Sequence, residues 1–337
     1  MRGFPPERGG RIAMTIICRV RAAMYSLVAA LLALVLVTTA ATARPLPGYP
    51  DLPPLPLQGH VEHETARIWY GTIGQGPPII LLHGGTASSR TWSLQVPALV
   101  AAGYRVILID SRGHGRSALG TRPLGYELMA RDVLAVMDRL DLRRTAIVGW
   151  SDGAIIGLIL AMRHPQRLTA VYAFGANMDR KSVRSDAFNA PILKTVGPLL
   201  LADYAALSPT PNGFPTLHAA AEAMLRAEPN YTAAELGMIT GPAIMVAAGA
   251  NDEFIKSDHA AYLARTIPRA RLQIFPRAGH FAPWEQTKAF NRSLLSFLAE
   301  VRDRSTVRGP LGKAPASRSS AHRASALTEG DGEFVAQ

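Results

Sequence analysis

Three residues in the second half of the chain have the side chains that together activate a hydroxyl for attack on a carbonyl carbon. They are Ser151, Asp252 and His280, which can serve as nucleophile, orienting acid and general base. Ser151 is the centre of a Gly-x-Ser-x-Gly sequence at 149–153, whose small residues allow a sharp turn that exposes the hydroxyl. The order serine, acid, histidine along the chain predicts acyl transfer through a serine nucleophile.

The residues around these positions alternate short apolar runs with longer helix-forming segments. Runs of this length and composition suit strands buried on both faces of a parallel sheet. The predicted strands are 78–82, 104–109, 145–148, 168–173, 243–247 and 271–275, after an antiparallel start over 61–71. The predicted helices are 126–140, 154–162, 259–267 and 290–301. This doubly wound α/β pattern brings the candidate residues together at the carboxyl ends of the strands.

The turn after the first parallel strand, His83 to Thr86, contains two glycines that can direct a backbone N–H into the site. We predict that the backbone N–H groups of Gly85 and Asp152 hold the oxyanion that forms at the carbonyl. His83 is interpreted as a brace for this turn, because His280 is better placed to act as the base.

Five segments together resemble the α/β-hydrolase superfamily, and they span most of 60–301. The segments are 83–85, 110–117, 149–153, 249–252 and 279–280. The resemblance implies an α/β-hydrolase fold, with a mostly parallel, doubly wound sheet and a small helical cap. It also implies that Asp110 and His114 are structural. Asp179 lies where some relatives carry their acid, and it stays as a second choice to Asp252.

The cap implied by the resemblance falls at about 179–240, where 191–201 and 217–225 are apolar and helix-prone. A cap above Ser151 would shape the pocket and limit the access of water. Its apolar faces equally suit simple packing on the body of the domain.

An acid directly after the nucleophile, here Asp152, is unusual in this superfamily. The sequence 149–153, together with Gly-Ala-Asn at 175–177, resembles the valacyclovir hydrolase (biphenyl hydrolase-like) family of amino-acid esterases. In that family the acid beside the serine receives the substrate's α-ammonium group, which implies the same role for Asp152. From the residues alone, Asp152 equally suits the start of the following helix, where an acid faces the positive end of the helix dipole.

The two ends of the chain differ in composition from the body at 60–301. Basic residues, an uncharged apolar run over 22–43 and Ala-Thr-Ala at 41–43 predict a secretory signal peptide over 1–43 and export to the periplasm or medium. An uncleaved membrane anchor over 22–43 is the alternative. Six prolines within 44–59 predict an extended linker, and the small polar residues of 302–337 predict a disordered tail.

Composition excludes several classes of function. The chain of 337 residues has a net charge of +11, but 44–301 holds 25 basic and 20 acidic residues without a basic run interleaved with aromatics, which argues against nucleic-acid binding. Cys18 is the single cysteine, so no internal disulfide is expected. The spacing of His, Asp and Glu predicts no metal site, and no cofactor is implied.

These observations predict a carboxylesterase-like serine hydrolase that cleaves an ester or related acyl bond of a small molecule through an acyl-enzyme. A lactonase or a carbon–carbon bond hydrolase of the same fold is the first alternative. A non-catalytic ligand-binding member and a membrane-anchored scaffold are alternatives from other classes, and membrane association is expected only if the N-terminal segment is retained.

Overall fold

An antiparallel hairpin begins the sheet, and parallel strands continue it. The computed structural model describes residues 48–307. The strands are β1 Leu57–His63, β2 Ala66–Ile73, β3 Pro78–Leu82, β4 Arg105–Ile109, β5 Thr145–Trp150, β6 Leu168–Phe174, β7 Ala243–Gly249 and β8 Arg271–Phe275. They form one sheet in the order β1-β2-β4-β3-β5-β6-β7-β8. Only β1 with β2 and β2 with β4 pair antiparallel.

Helices cover both faces of this sheet, as expected for strands that are apolar on both sides. The helices are α1 Val96–Ala101, α2 Tyr126–Arg139, α3 Asp152–Arg163, α4 Leu193–Leu207, α5 Phe214–Ala227, α6 Ala233–Gly237, α7 His259–Thr266, α8 Ala282–Glu285 and α9 Thr287–Val307. Residues of α2, α3 and α7 join one apolar core, and residues of α1 and α9 join the core on the opposite face.

Strand β3 lies inside the sheet, with β4 on one side and β5 on the other. The order of the strands along the chain reverses at this point. Chain connections leave in opposite directions at such a switch point, and a crevice opens beyond the carboxyl ends of the strands. The loop after β3 and the turn after β5 border this crevice. These two segments contain Gly85 and Ser151.

The predicted cap region lies between β6 and β7 and contains α4, α5 and α6. Both long cap helices extend beyond the predicted segments, because the alanine-rich continuation after Leu201 and the residues after Leu225 remain helical. Asp203, on the added part of α4, contacts the body of the domain beside the loop after β3.

Two predicted boundaries need correction. The expected linker at 44–59 is not a free spacer where it is described, since β1 begins within it, at Leu57, and the Tyr49 ring lies 5.0 Å from that of Trp284. The last helix continues to Val307, past the expected end of the body at 301.

The predicted signal peptide or anchor at 1–43 lies outside the described residues, as does the predicted tail after 307. Within 48–307, no helix combines the length and apolar character needed to span a membrane.

Candidate active site

Ser151 occupies a strained turn between β5 and α3. Its backbone angles are φ +55° and ψ −119°, a conformation that typically costs a residue with a side chain about 1 to 3 kcal/mol. Close packing makes the flanking glycines necessary: a Cβ atom at Gly149 would lie 2.2 Å from the oxygen of Gly153, and one at Gly153 would lie 2.2 Å from the oxygen of Leu82. The Ser151 N–H donates to the oxygen of Phe174 at 2.8 Å, which fixes the turn against β6.

Asp252 and His280 form a buried hydrogen-bonded pair in the loops after β7 and β8. His280 Nδ1 lies 2.8 Å from Asp252 Oδ2. The other carboxylate oxygen, Oδ1, accepts the backbone N–H groups of Phe254 and Ile255 at 2.9 and 2.8 Å. Because Asp252 accepts the proton on Nδ1, the Nε2 atom of His280 keeps its lone pair. This is the tautomer that a general base requires.

The electrostatics of the pair support the same protonation pattern. Burial alone would lower the pKa of His280, but the charge of Asp252 and its hydrogen bond outweigh burial and raise the pKa. Burial would likewise raise the pKa of Asp252, yet the charge and hydrogen bond of His280 and the two backbone donors hold it below its usual value. The carboxylate is therefore ionised near neutral pH and stabilises a cationic imidazole.

The loop after β3 lies directly against the turn that carries Ser151. A Cβ atom at Gly84 would lie 3.1 Å from Ser151 Cβ, and one at Gly85 would lie 2.8 Å from Asp152 Oδ2. Among the described residues, the backbone N–H groups of Gly85 and Asp152 have no hydrogen-bond acceptor. Two unengaged donors beside a nucleophile are the arrangement that stabilises a developing oxyanion.

His280 and Ser151 both lie beside the end of β6. A Cβ atom at Gly175 would lie 2.8 Å from His280 Cε1, and the preceding residue, Phe174, binds the Ser151 N–H. No hydrogen bond joins Ser151 Oγ to His280 Nε2 in the described part of the chain. Catalytic hydrogen bonds of this kind are often long until a substrate binds.

The side chain of Asp152 is half-buried and has no cationic partner within salt-bridge distance among residues 48–307. Its Oδ1 accepts the Tyr126 hydroxyl at 2.9 Å. Burial raises the pKa of Asp152, against the smaller opposing effects of the Tyr126 hydrogen bond and the charge of His280. In the described residues, this carboxylate accepts no N–H group of α3, so it makes no capping hydrogen bond to that helix.

Asp179, the second choice for the acid, lies at the start of a 3₁₀ turn, Arg180–Ser182. Its Oδ1 accepts the Lys181 N–H at 2.8 Å, as helix-capping acids do. The structure thus brings Asp252, and not Asp179, into hydrogen-bond contact with His280.

His83 has both ring nitrogens engaged in the backbone of neighbouring loops. Nδ1 donates to the oxygen of Gly84 at 2.7 Å, and Nε2 accepts the Ser111 N–H at 3.0 Å. Burial lowers the pKa of His83, so the ring is neutral near pH 7. This side chain joins the loop after β3 to the loop after β4.

Asp110 and His114 have structural contacts in the loop after β4. Asp110 accepts the backbone N–H groups of Ser89 and Arg116, each at 2.8 Å. His114 Nδ1 donates to the oxygen of Arg112 at 2.8 Å, and burial lowers the pKa of His114 to about 3. Neither side chain makes a hydrogen bond to Ser151 or His280 in the described residues.

Several residues that position the site were not identified from the sequence. Glu253 Oε2 accepts the backbone N–H of His280 at 2.8 Å, and Glu285 Oε2 accepts that of Gly279 at 2.6 Å. The Trp150 indole N–H donates to the oxygen of His280 at 2.9 Å. Their positions beside the motif residues were the available signal, but the direction of these side chains was not deducible.

A partly buried ion pair joins the cap to the loop after β3. Asp203 on α4 accepts the Ser88 hydroxyl and lies 2.7 Å from Arg90 Nη1. Arg90 also pairs with Asp51 in the segment that precedes β1. Asp203 therefore connects the cap, the N-terminal segment and the turn that follows Gly85.

We expect Asp203→Asn to lower the free energy of unfolding by about 2 to 3 kcal/mol, because Arg90 loses a buried partner and retains only exposed Asp51. Urea unfolding at pH 7 measures this change. The matched control is Glu222→Gln, which removes an exposed pair with Arg226 on α5 and should leave the unfolding midpoint nearly unchanged. Equal effects of the two substitutions would contradict a stabilising role for Asp203.

Across residues 48–307, no group of three or more His, Cys, Asp or Glu side chains is arranged to hold a metal ion.

Comparisons with known proteins identify the family. A sequence model of the alpha/beta hydrolase family matches residues 79–293. A 2-hydroxy-6-oxo-6-phenylhexa-2,4-dienoate hydrolase of Burkholderia cepacia is 30% identical over 263 residues, which cover 69% of this chain and 91% of the relative.

Solved structures have the same architecture. A meta-cleavage product hydrolase superposes with a TM-score of 0.61 at 23% identity, covering 72% of this chain and 98% of that one. An N-acyl homoserine lactone degrading enzyme superposes with a TM-score of 0.57 at 27% identity, covering 71% of this chain and 100% of that one. These proteins share a fold, but their names describe different substrates.

Proposed function

Because this chain belongs to the α/β-hydrolase family, we propose that it is a serine hydrolase that cleaves carboxylic esters through Ser151, His280 and Asp252. The observation that carries the proposal is the buried Asp252–His280 pair, with Nδ1 and Oδ2 2.8 Å apart, beside a serine at φ +55°. A paired acid and histidine next to a strained, half-buried nucleophile is the arrangement that covalent acyl transfer needs.

In the proposed mechanism, Ser151 Oγ attacks the carbonyl carbon and His280 Nε2 takes its proton. Asp252 stabilises the resulting imidazolium without itself taking the proton. The N–H groups of Gly85 and Asp152 bind the oxyanion, an interaction typically worth about 3 to 4 kcal/mol for each donor. His280 then protonates the leaving alcohol, and water releases the acyl group by the same route in reverse.

The proposed substrate is an ester of an α-amino acid. Asp152 directly follows the proposed nucleophile, and its Oδ2 lies beside the proposed oxyanion loop, without an ion-pair partner among the described residues. An α-ammonium group would provide the missing countercharge, and such a charge-assisted contact contributes about 1.5 to 3 kcal/mol. The local resemblance to the valacyclovir hydrolase family supports the same role for Asp152.

We expect alanine benzyl ester to be hydrolysed with a kcat/KM about 10 to 100 times that of benzyl propionate, which lacks only the amine. Asp152→Asn should erase or reverse this preference, because it removes the charge that attracts the amine and repels the oxyanion. Steady-state kinetics on both esters at pH 7 measure the ratio.

The control for this experiment is Asp186→Asn, an exposed carboxylate paired with Arg184 in the cap region. It should leave the preference between the two esters unchanged. Equal turnover of both esters by the unmodified enzyme would reject the amine-binding role of Asp152. Failure to hydrolyse any ester in a panel of short esters would reject the esterase proposal itself.

Carbon–carbon bond hydrolysis is the second candidate, because the Burkholderia cepacia relative is named for a dienoate substrate. A dienoate is an anion, and Asp152 is a carboxylate with no cationic partner among the described residues. Electrostatic repulsion therefore favours a cationic ester over an anionic dienoate. Faster turnover of a 2-hydroxy-6-oxo-dienoate than of any ester would reverse this order.

A further inference from the structure

Tyr126, the first residue of α2, is completely buried in the core against which α3 packs. Its hydroxyl reaches Asp152 Oδ1 at 2.9 Å. Burial, and then the negative charges of Asp152 and Glu228, raise the pKa of Tyr126 well above its usual value. The hydroxyl consequently remains protonated and acts as the donor in this bond.

The Tyr126 hydrogen bond fixes which oxygen of Asp152 faces the site. With Oδ1 held by Tyr126, Oδ2 lies against the loop after β3, 2.8 Å from the position that a Cβ atom of Gly85 would take. An aspartate side chain without such an anchor rotates about two torsions, so its carboxylate would sample other directions. The anchor comes from the first residue of a helix whose apolar side joins the core, and a regular helix is a suitable support for a binding group.

We propose that Tyr126 is a specificity-determining positioning residue, whose hydroxyl holds Asp152 so that its second oxygen receives a substrate ammonium group beside Gly85. This inference rests on the proposed amine-binding role of Asp152. It adds that the preference for α-amino esters depends on a residue that lies 26 positions away in the chain and does not itself touch the substrate.

The charges around Asp152 give this role a pH dependence. Burial raises the pKa of Asp152, whereas the Tyr126 hydrogen bond and the charge of His280 lower it. On the other side of Tyr126, Glu228 accepts its backbone N–H at 3.3 Å and is a further negative group. Loss of the hydroxyl therefore raises the pKa of Asp152, and the carboxylate becomes protonated at a higher pH.

The test compares Tyr126→Phe with the unmodified enzyme on alanine benzyl ester and benzyl propionate across pH 5 to 8. We expect the preference for the amino ester to fall about tenfold, while kcat/KM for benzyl propionate changes less than about threefold. The pH below which the preference disappears should also move upward. Tyr172→Phe is the matched control, since its buried hydroxyl hydrogen-bonds to Ser293, at 3.0 Å, and it should change neither property.

The outcomes distinguish a failure of the positioning role of Tyr126 from a failure of the amine-binding role of Asp152. If the unmodified enzyme prefers the amino ester and Tyr126→Phe retains that preference, the positioning role is overturned while the role of Asp152 stands. Equal losses on both esters, with no shift in pH, would show a merely structural role and also overturn it. If the unmodified enzyme shows no preference, the amine-binding role falls, and the inference falls with it. Should the phenylalanine variant unfold, Tyr126→Met, which also lacks the donor, gives the same comparison.

Discussion

Replacement of Ser151 by alanine is expected to lower the rate of ester hydrolysis by about a million-fold. Triad members act as a unit, and loss of the nucleophile typically removes nearly all of their combined effect. The fold should persist, because alanine differs from serine by one oxygen and meets the same strain at φ +55°. Kinetics on the preferred ester and a thermal unfolding curve measure the two expectations.

The matched control for this substitution is Ser185→Ala, at an exposed position in the cap region. It should retain full activity. More than about one per cent of the original rate in purified Ser151→Ala protein would contradict the assignment of the nucleophile. Equal losses in both variants would point to unfolding, which the thermal curve would reveal.

The sheet could be predicted from the sequence because parallel strands buried on both faces are continuous apolar runs. The buried strand at 78–82 begins and ends as predicted, as does the largely exposed edge strand at 271–275, and the predicted α/β-hydrolase fold is confirmed. The ends of helices were harder to predict, since helix formation can continue through polar residues after the apolar pattern ends. Thus α9 continues through polar residues to Val307.

The candidate residues could be identified from the turns at the strand ends. A sharp turn needs glycine at particular positions, and those positions are close together in the sequence. Hydrogen bonds between distant side chains have no such local pattern. The contacts of Tyr126 with Asp152 and of Asp203 with Ser88 join residues that are 26 and 115 positions apart. Neither contact could be predicted without the packing of α2 and α4 on the body of the domain.

Asp252→Asn is expected to lower kcat by about ten-thousand-fold, the loss typical when the acid of such a triad becomes an amide. The structure supplies the reason. The backbone donors at Phe254 and Ile255 hold one oxygen of Asp252, so the amide carbonyl should occupy that position. The amide NH₂ then faces His280 Nδ1 and selects the tautomer with a proton on Nε2. That histidine cannot accept the serine proton.

Two measurements test this explanation of Asp252. Because the charge of Asp252 helps to raise the pKa of His280, its removal should move the acid limb of kcat/KM to lower pH. Asp179→Asn is the matched substitution, and it should change kcat less than about twofold, since asparagine caps a helical turn as well as aspartate. A larger loss from Asp179→Asn than from Asp252→Asn would identify Asp179 as the acid. The order serine, acid, histidine would survive that result, because both aspartates lie between Ser151 and His280 in the chain.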